Sequence, residues 1–217
     1  MAEDRPRLVV AIDGPAGAGK TTLARGLAAR LGIPYLNTGA MYRSLAAEAL
    51  RRGVDPDDGP ALADLARSLR FTMDGNPSSL RVDGELPGDD LATAEVEAVV
   101  SSVAGHPEVR AVLRAEQRRL GAGGSVVEGR DIGTVVFPDA GLKIFLEADR
   151  DERAARRQAE RRQGDPALAE ALERRDARDA RTNPLVPASD ARVIDSTGRE
   201  AEDVLAEALS LVPRERA

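Results

Sequence analysis

Short apolar runs alternate with longer helical patterns along most of this chain. Five of the runs are rich in Val, Ile and Leu and only four or five residues long, which is typical of strands buried in a parallel sheet. The alternation predicts an α/β fold, a single domain over residues 1–217 with a parallel five-stranded core sheet flanked by helices. The predicted core strands are residues 8–12, 33–36, 125–128, 142–146 and 191–195.

Apolar spacing and end signals predict the helices that separate these strands. Leucines recur every four residues from Leu23 to Leu31, so residues 21–31 are predicted as the first helix. Asn37 or Thr38 is suited to cap the second helix, which runs to Gly53. The other predicted helices are residues 60–68, 91–103, 107–120, 149–162, 166–181 and 200–212.

Residues 55–90 break the alternation and predict a small antiparallel β insert. Two strand-like runs, residues 69–73 and 79–83, flank a turn, and a third short strand is predicted within residues 84–88. Consecutive short strands joined by tight turns pair antiparallel, so this segment is predicted to form a subdomain.

A glycine-rich stretch carries the most specific chemical signal. Residues 14–21 read G-P-A-G-A-G-K-T and fit the phosphate-binding pattern G-x-x-x-x-G-K-[ST]. A predicted strand precedes the stretch and a predicted helix follows it, as the pattern requires; the alternative is a Gly/Ala-rich turn without a ligand. Glycines let backbone N–H groups turn toward phosphate oxygens, and the helix N-terminus adds partial positive charge. The residues predicted to bind a nucleoside triphosphate are Gly14, Pro15, Ala16, Gly17, Ala18, Gly19, Lys20, Thr21 and Thr22.

The same loop implies a bound Mg²⁺ ion. In this pattern Lys20 reaches the β- and γ-phosphates, and the Thr21 hydroxyl is a direct ligand of the metal. An acid at the end of a strand holds the metal through water, and both Glu128 and Asp13 occupy such positions. Open α/β sheets bind ligands at the carboxyl ends of their strands, so residues 129–131 are expected beside the loop. A structural Arg–Asp ion pair is the alternative explanation of that segment.

Charge and composition narrow the classes of function. The formal net charge of −6 argues against a general nucleic-acid binder, so any basic site must be local. Of the 31 basic residues two are lysines, and the remaining 29 are arginines, which suit bidentate phosphate recognition. The sequence has no cysteine, no apolar run near the roughly 20 residues that span a bilayer, and no signal-peptide pattern. A cytoplasmic protein without nucleic-acid or membrane partners is therefore expected.

For several arginines the sequence allows two roles, contact with a bound anion or simple exposure to solvent. Arg43 lies one turn into the second predicted helix, where it meets an anion or remains solvated. Arg153 and Arg157 share one face of a helix that has almost no apolar stripe. Such a helix is either a solvated surface element or a mobile lid over phosphates, and residues 150–182 are predicted as a short helical lid.

The loop alone does not name the reaction, but other features restrict it. The guanine-reading motif N-K-x-D is absent, because none of the three asparagines precedes a lysine. A small chain with clustered arginines and a lid suits transfer of a phosphoryl group to a second phosphate. Cations must then clamp two mutually repelling polyphosphates while water is excluded.

At this point the motifs resemble those of bacterial cytidylate kinases, in the nucleoside monophosphate kinase group of P-loop NTPases. The resemblance covers nearly the whole chain and includes I-D-G-P-A-G-A-G-K at residues 12–20, N-T-G-A-M-Y-R at 37–43, G-R-D-I-G-T-V-V-F-P-D-A at 129–140, and P-L at 184–185 followed by D-S-T at 195–197. It implies a P-loop kinase fold in which the antiparallel insert belongs to the nucleotide-acceptor region. It also implies a monomer with Mg²⁺ as cofactor that transfers the γ-phosphoryl group of ATP to CMP or dCMP by in-line attack.

The resemblance further implies roles for individual residues. A phosphate site is expected around Thr38, a cytosine site around Asp131, and a ribose site at the R-x-x-x-D spacing of residues 175–179. A carboxylate accepts a hydrogen bond from the exocyclic amine of cytosine, which favours cytosine over uracil. Arg181 lies two residues after Asp179, whereas the next arginine in relatives lies three residues after the corresponding aspartate. The residues implied to bind CMP are Thr38, Arg43, Ser101, Arg110, Arg130, Asp131, Arg175, Asp179 and Arg181, and those implied to act in catalysis are Lys20, Arg130, Arg153 and Arg157.

Two alternative functions use the same loop. A shikimate-like small-molecule kinase would act on a non-nucleotide acceptor, but the run at residues 129–138 and the β insert argue against it. A nucleotide-gated binding module would hydrolyse ATP slowly to switch partners. Such a module predicts ATPase activity that depends on a macromolecule and does not respond to CMP.

Overall fold

Strands and helices alternate along the chain in this computed structural model, which describes residues 8–74, 79–88, 91, 93–161 and 186–213. The strands are β1 (Val9–Asp13), β2 (Tyr35–Asn37), β3 (Phe71–Asp74), β4 (Ser79–Val82), β5 (Ser125–Glu128), β6 (Leu142–Glu147) and β7 (Arg192–Asp195). The helices are α1 (Lys20–Leu31), α2 (Thr38–Arg52), α3 (Gly59–Ser68), α4 (Ala94–Gly105), α5 (Pro107–Gly121), α6 (Arg150–Arg161) and α7 (Ala201–Ser210), with one π-helix at Ile132–Val136.

Five strands pair in parallel in the order β2-β5-β1-β6-β7, which confirms the predicted core sheet. Ile12 of the central strand β1 lies in register with Glu128 of β5 and with Ile144 of β6. The carboxyl ends of β1 and β5 are therefore side by side. The glycine-rich loop after β1 and the segment after β5 leave the sheet at the same edge, where open α/β sheets bind ligands.

Helices cover both faces of this sheet and bury a hydrophobic core on each. Ala11 and Val127 face a core shared with α2, α3, α4 and α5. Val10, Ile12 and Val126 face the opposite core, which α1 and α7 close. Successive residues of a strand point to opposite faces, so both cores draw on the same strands and the apolar runs are continuous.

The insert contains an antiparallel pair of strands, as predicted. The prediction of a third strand within residues 84–88 is wrong. Strands β3 and β4 pair with Phe71 opposite Val82. Glu85 then makes only an isolated bridge back to Val82. Asp83 and Gly84 between them have left-handed φ values of 52° and 88°, so the chain reverses in a tight turn instead of extending along the pair.

Other elements begin and end close to their predicted positions. Helix α4 starts at Ala94 rather than at residue 91, because the Thr93 side chain caps it by accepting a hydrogen bond from the Val96 amide. Residues 162–182 of the predicted lid, which include the predicted helix at residues 166–181, lie outside the described residues. The proposed subdomain limits of 55–90 and 150–182 stay predictions. Within the described ranges, no helix has the length and apolar character that crossing a membrane requires.

Candidate active site

A cavity of about 760 Å³ lies beside the carboxyl ends of β1 and β5. Its walls come from the glycine-rich loop, the starts of α1 and α2, inward faces of α4 and α5, and the segment after β5. Elements far apart in sequence thus converge on one concave space, the usual setting of a ligand site. Of the predicted site residues, those that line the cavity are Ala16, Gly17, Ala18, Gly19, Lys20, Thr21, Thr22, Thr38, Arg43, Ser101, Arg110, Glu128, Arg130 and Asp131.

The glycine-rich loop makes a close turn between β1 and α1. Gly14 has a φ of 147°, and a Cβ atom there would lie 2.2 Å from the carbonyl oxygen of Leu146, so no side chain fits. Lys20 begins α1, and its Nζ donates a hydrogen bond to the carbonyl of Pro15 at 2.7 Å. A lysine ammonium and the N–H groups at the start of α1 therefore border the same space, which is a favourable arrangement for phosphate.

A partly buried group of oxygen atoms adjoins this loop. The Thr21 hydroxyl donates to the Glu128 carboxylate, at 2.9 Å from Oε1 and 3.1 Å from Oε2. The Tyr35 hydroxyl also donates to Glu128 Oε1. Burial, together with the negative charge of Glu128, raises the pKa of Tyr35, which keeps that hydroxyl a hydrogen-bond donor. A hydroxyl and a carboxylate this close form the oxygen-donor set that Mg²⁺ accepts when phosphates and water complete its shell.

Asp13 holds the segment that follows β5. Its Oδ1 accepts from the Ile132 amide at 2.8 Å and its Oδ2 from the Gly133 amide at 2.7 Å. Burial raises the pKa of the Asp13 carboxyl, and the two amide hydrogen bonds oppose that shift. Of the two acids predicted near the metal, Glu128 contacts Thr21, whereas Asp13 fixes the start of the π-helix and so positions Arg130 and Asp131.

The start of α2 brings the predicted residues Thr38 and Arg43 close together. The Thr38 hydroxyl donates to the carbonyl of Glu128 at 2.7 Å, which ties this helix start to the end of β5. Arg43 Nε donates to Glu97 Oε1 at 2.6 Å, and Glu97 is only 3% exposed. A Cβ atom on Gly39 would lie 3.1 Å from Arg43 Nη1, so the guanidinium lies over the helix start. Backbone amides and a fixed guanidinium fork then face the same point, which suits a phosphate.

A carboxylate with two arginine partners lies further along the cavity. Asp131 Oδ2 accepts from Arg110 Nη2 at 3.1 Å and from Arg114 Nη2 at 2.5 Å. The buried Ser101 lines the cavity on the facing helix α4. Burial and the charge of Asp131 raise the pKa of the neighbouring Tyr42 hydroxyl. The structural ion pair considered as an alternative to a binding site is present, yet it lines the cavity, so the two explanations are compatible here.

The first turns of α6 lie against the glycine-rich loop. Arg153 Nη1 donates to the carbonyl of Ala16 at 3.3 Å, and its Nε donates to the carbonyl of Ala148 at 3.1 Å. Arg156 lines the cavity and donates to the hydroxyl and the carbonyl of Ser196, at 3.1 Å and 2.8 Å. The side chain of Arg157 lies outside the described residues, and so do Arg175, Asp179 and Arg181 in full. Their contacts with nucleotides stay predictions.

Several residues at or behind the cavity wall were not predicted from the sequence. Helical spacing could have indicated three of them: Arg114 is four residues after Arg110, Glu97 is four before Ser101, and Arg156 is three after Arg153. Residues three or four apart share a helix face, so each lies beside a residue that was predicted. The unpredicted residues are Tyr42, Glu97, Arg114, Gln117, Arg156, Ser196 and Arg199.

Comparison with known proteins agrees with this geometry. A family model described as cytidylate kinase matches residues 10–214. The cytidylate kinase of Solibacter usitatus (strain Ellin6076) is 46% identical over 216 residues, which cover 95% of this chain and 92% of that protein. The cytidylate kinase of Streptomyces coelicolor (strain ATCC BAA-471 / A3(2) / M145) is 42% identical and covers 100% of this chain and 97% of its own length.

Proposed function

Because the chain belongs to the cytidylate kinase family, we propose that it transfers the γ-phosphoryl group of ATP to CMP or dCMP, giving ADP and CDP or dCDP. The observation that carries the proposal is a single cavity with a phosphate-binding loop at one end and the Arg110–Asp131 pair at the other. One end suits a triphosphate, and the other offers a carboxylate to an amine-bearing base.

The donor nucleotide occupies the loop between β1 and α1. Loop amides and the start of α1 bind its phosphates, and Lys20 neutralises the charge on the β- and γ-phosphates. Arg153 and Arg157 complete the clamp from α6 when the lid closes over ATP. In support, Arg153 already contacts the loop carbonyl of Ala16 at 3.3 Å.

The acceptor nucleotide occupies the space between α2, α4 and α5. Arg43, Arg130 and Thr38 bind the CMP phosphate at the start of α2. Asp131 accepts from the cytosine amine, while Arg110 and Ser101 line the base pocket. In the lid segment, Arg175 and Asp179 bind the ribose, and Arg181 lies near the base.

Chemistry at this site needs alignment and charge neutralisation rather than a side-chain base. The attacking oxygen of the CMP phosphate is already anionic at neutral pH, so no proton has to be removed before attack. Two nucleotides held in line gain the advantage of proximity, and Lys20 with the arginines stabilises the charge on the transferring group. Closure of α6 over the cavity excludes water, which would otherwise compete with CMP as acceptor.

Mg²⁺ is the cofactor of the proposed reaction. Thr21 would hold the ion directly and Glu128 would hold it through water; the 2.9 Å contact between these two side chains supports this assignment. When bound, the ion neutralises charge on the β- and γ-phosphates. Asp13 is the less favoured second acid, because both of its oxygens accept backbone amides.

The enzyme is proposed to act as a monomer in the cytoplasm, with ATP and CMP or dCMP as its partners and without nucleic acid or membrane. The net charge of −6 argues against nucleic-acid binding, and the absence of cysteine fits a reducing compartment.

A substrate panel tests the proposal. ADP release from ATP and Mg²⁺ would be followed with CMP, dCMP, UMP, AMP, shikimate or no acceptor in separate wells. Rapid turnover with CMP and dCMP and little with the others is expected. Turnover with shikimate alone, or the same slow release in every well, would overturn the assignment of the acceptor.

A further inference from the structure

We propose that Arg114 is a positioning residue that fixes the Asp131 carboxylate for the cytosine amine and thereby sets the preference for CMP over UMP. This inference rests on the proposed function of the cavity. It concerns a residue behind the cavity wall, one helical turn beyond Arg110 on α5.

The two arginines bind the same oxygen of Asp131 but at different distances. Arg114 Nη2 lies 2.5 Å from Oδ2, and Arg110 Nη2 lies 3.1 Å from it. Charge-assisted hydrogen bonds strengthen as they shorten, so Arg114 is the tighter partner. Because both guanidinium groups use Oδ2, the other carboxylate oxygen is the one available to a ligand.

The surroundings of Arg114 make it a permanent partner. Arg110 lines the cavity, where an incoming base contacts it. Arg114 does not line the cavity, and its Nε is buried with no hydrogen-bond partner among the residues that the structure describes. An incoming base therefore contacts Arg110 and not Arg114, so Arg114 stays on Asp131 when Arg110 is drawn toward the ligand.

The next turn of α5 supports the same segment from its other end. Arg118 donates to the carbonyls of Val135 at 2.7 Å and Val136 at 2.9 Å, at the end of the π-helix. Arg114 and Arg118 thus hold both ends of residues 131–136 against one helix. Asp131 is left with little freedom to turn away from the cavity.

This rigidity matters because cytosine and uracil differ at the atom that Asp131 meets. The C4 amine of cytosine donates a hydrogen bond, whereas the C4 carbonyl of uracil accepts one. A fixed, ionised carboxylate can only accept hydrogen bonds. Uracil would therefore place its C4 carbonyl oxygen, also an acceptor, against the Asp131 carboxylate. A carboxylate that loses Arg114 can rotate away from the C4 position, and the two bases are then distinguished less strongly.

Three variants measured with both acceptors test the role of Arg114. Arg114→Met removes the guanidinium, Arg114→Lys keeps the charge, and Arg119→Met removes a guanidinium from the same helix that contacts Glu116 and the Phe71 carbonyl instead. The ratio of kcat/KM for CMP to that for UMP is expected to fall about tenfold in Arg114→Met, as for loss of one charge-assisted hydrogen bond. We expect a smaller fall in Arg114→Lys and none in Arg119→Met, with KM for ATP unchanged in all three.

Equal losses with CMP and UMP, or an unchanged ratio, would overturn the proposal in favour of a purely structural role. Arg114→Lys carries the same test if the methionine variant does not fold. In an Asp131→Asn background, Arg114→Met should leave the ratio unchanged, since Arg114 acts through Asp131; an independent, additive effect would also overturn it. Wild-type enzyme that leaves CMP unphosphorylated would instead overturn the proposed function, before any variant is compared.

Discussion

At the scale of the residue, Lys20 is the cation that we propose neutralises the donor phosphates. Its Nζ donates to the Pro15 carbonyl at 2.7 Å, so the side chain is already folded back over the loop. Lys20→Ala should lower kcat by about 10²- to 10³-fold, the scale for removing one group that stabilises transition-state charge. The matched control is Arg30→Met, which removes an exposed cation of α1 paired with Glu202 and should leave kcat unchanged. Turnover close to wild type in Lys20→Ala would contradict the assigned role.

Asp131 is the residue that we propose contacts the acceptor base. Asp131→Ala removes the only carboxylate assigned to the cytosine amine, so KM for CMP should rise about tenfold or more while KM for ATP stays constant. Steady-state kinetics with each substrate varied in turn would measure both values. Asp64→Ala, which removes an exposed carboxylate of α3 paired with Arg67, serves as the control. An unchanged KM for CMP would remove Asp131 from the base pocket.

At the scale of the element, the turn from β1 to α1 depends on Gly14. A Cβ atom there meets the Leu146 carbonyl oxygen at 2.2 Å, whereas one on Gly32 meets nothing within 4 Å. Both glycines have positive φ, 147° and 63°, so Gly32→Ala measures the backbone strain without the clash. Urea unfolding should show a loss of about 1 kcal/mol for Gly32→Ala and at least about 2 kcal/mol more for Gly14→Ala. Equal losses would show that the close approach of β6 to the loop costs nothing.

The sequence predicts the elements well where one local signal decides them. Short apolar runs identify all five core strands within two residues. The signal is strongest in β1, β5 and β6, because a strand buried on both faces needs apolar side chains at nearly every position. The π-helix at Ile132–Val136 has no such signal. It depends on the Asp13 carboxylate binding two amides more than a hundred residues away, which no local pattern records.

The residues of the candidate site also separate into those that a local sequence signal predicts and those that it does not. The loop residues and Glu128 were predictable because a fixed spacing and a strand end specify them. Arg114 and Glu97 were not, because an isolated charge on a helix is usually solvated. Their importance comes from tertiary contacts, with Asp131 at 2.5 Å and with Arg43 at 2.6 Å.

At the scale of the whole molecule, the cavity lies where the two cores and the sheet edge meet, so ligand binding should stabilise the entire fold. A ligand that binds only the folded state at 100 times its Kd adds about 2.7 kcal/mol to the free energy of unfolding. CMP should therefore raise Tm in a thermal scan, and UMP at the same concentration should raise it less. A larger shift with UMP than with CMP, or none with either, would contradict the acceptor assigned to this cavity.

Identification of both products is the most direct test of the central claim, transfer of the γ-phosphoryl group from ATP to CMP. ³¹P NMR of a mixture of enzyme, ATP, Mg²⁺ and CMP resolves ADP, CDP and inorganic phosphate separately. Equal amounts of ADP and CDP without accumulation of inorganic phosphate are expected, with at most about a hundredth as much of either product from Lys20→Ala at the same enzyme concentration and time. ADP accompanied by inorganic phosphate, with CMP left intact, would contradict the account and identify the protein as an ATPase.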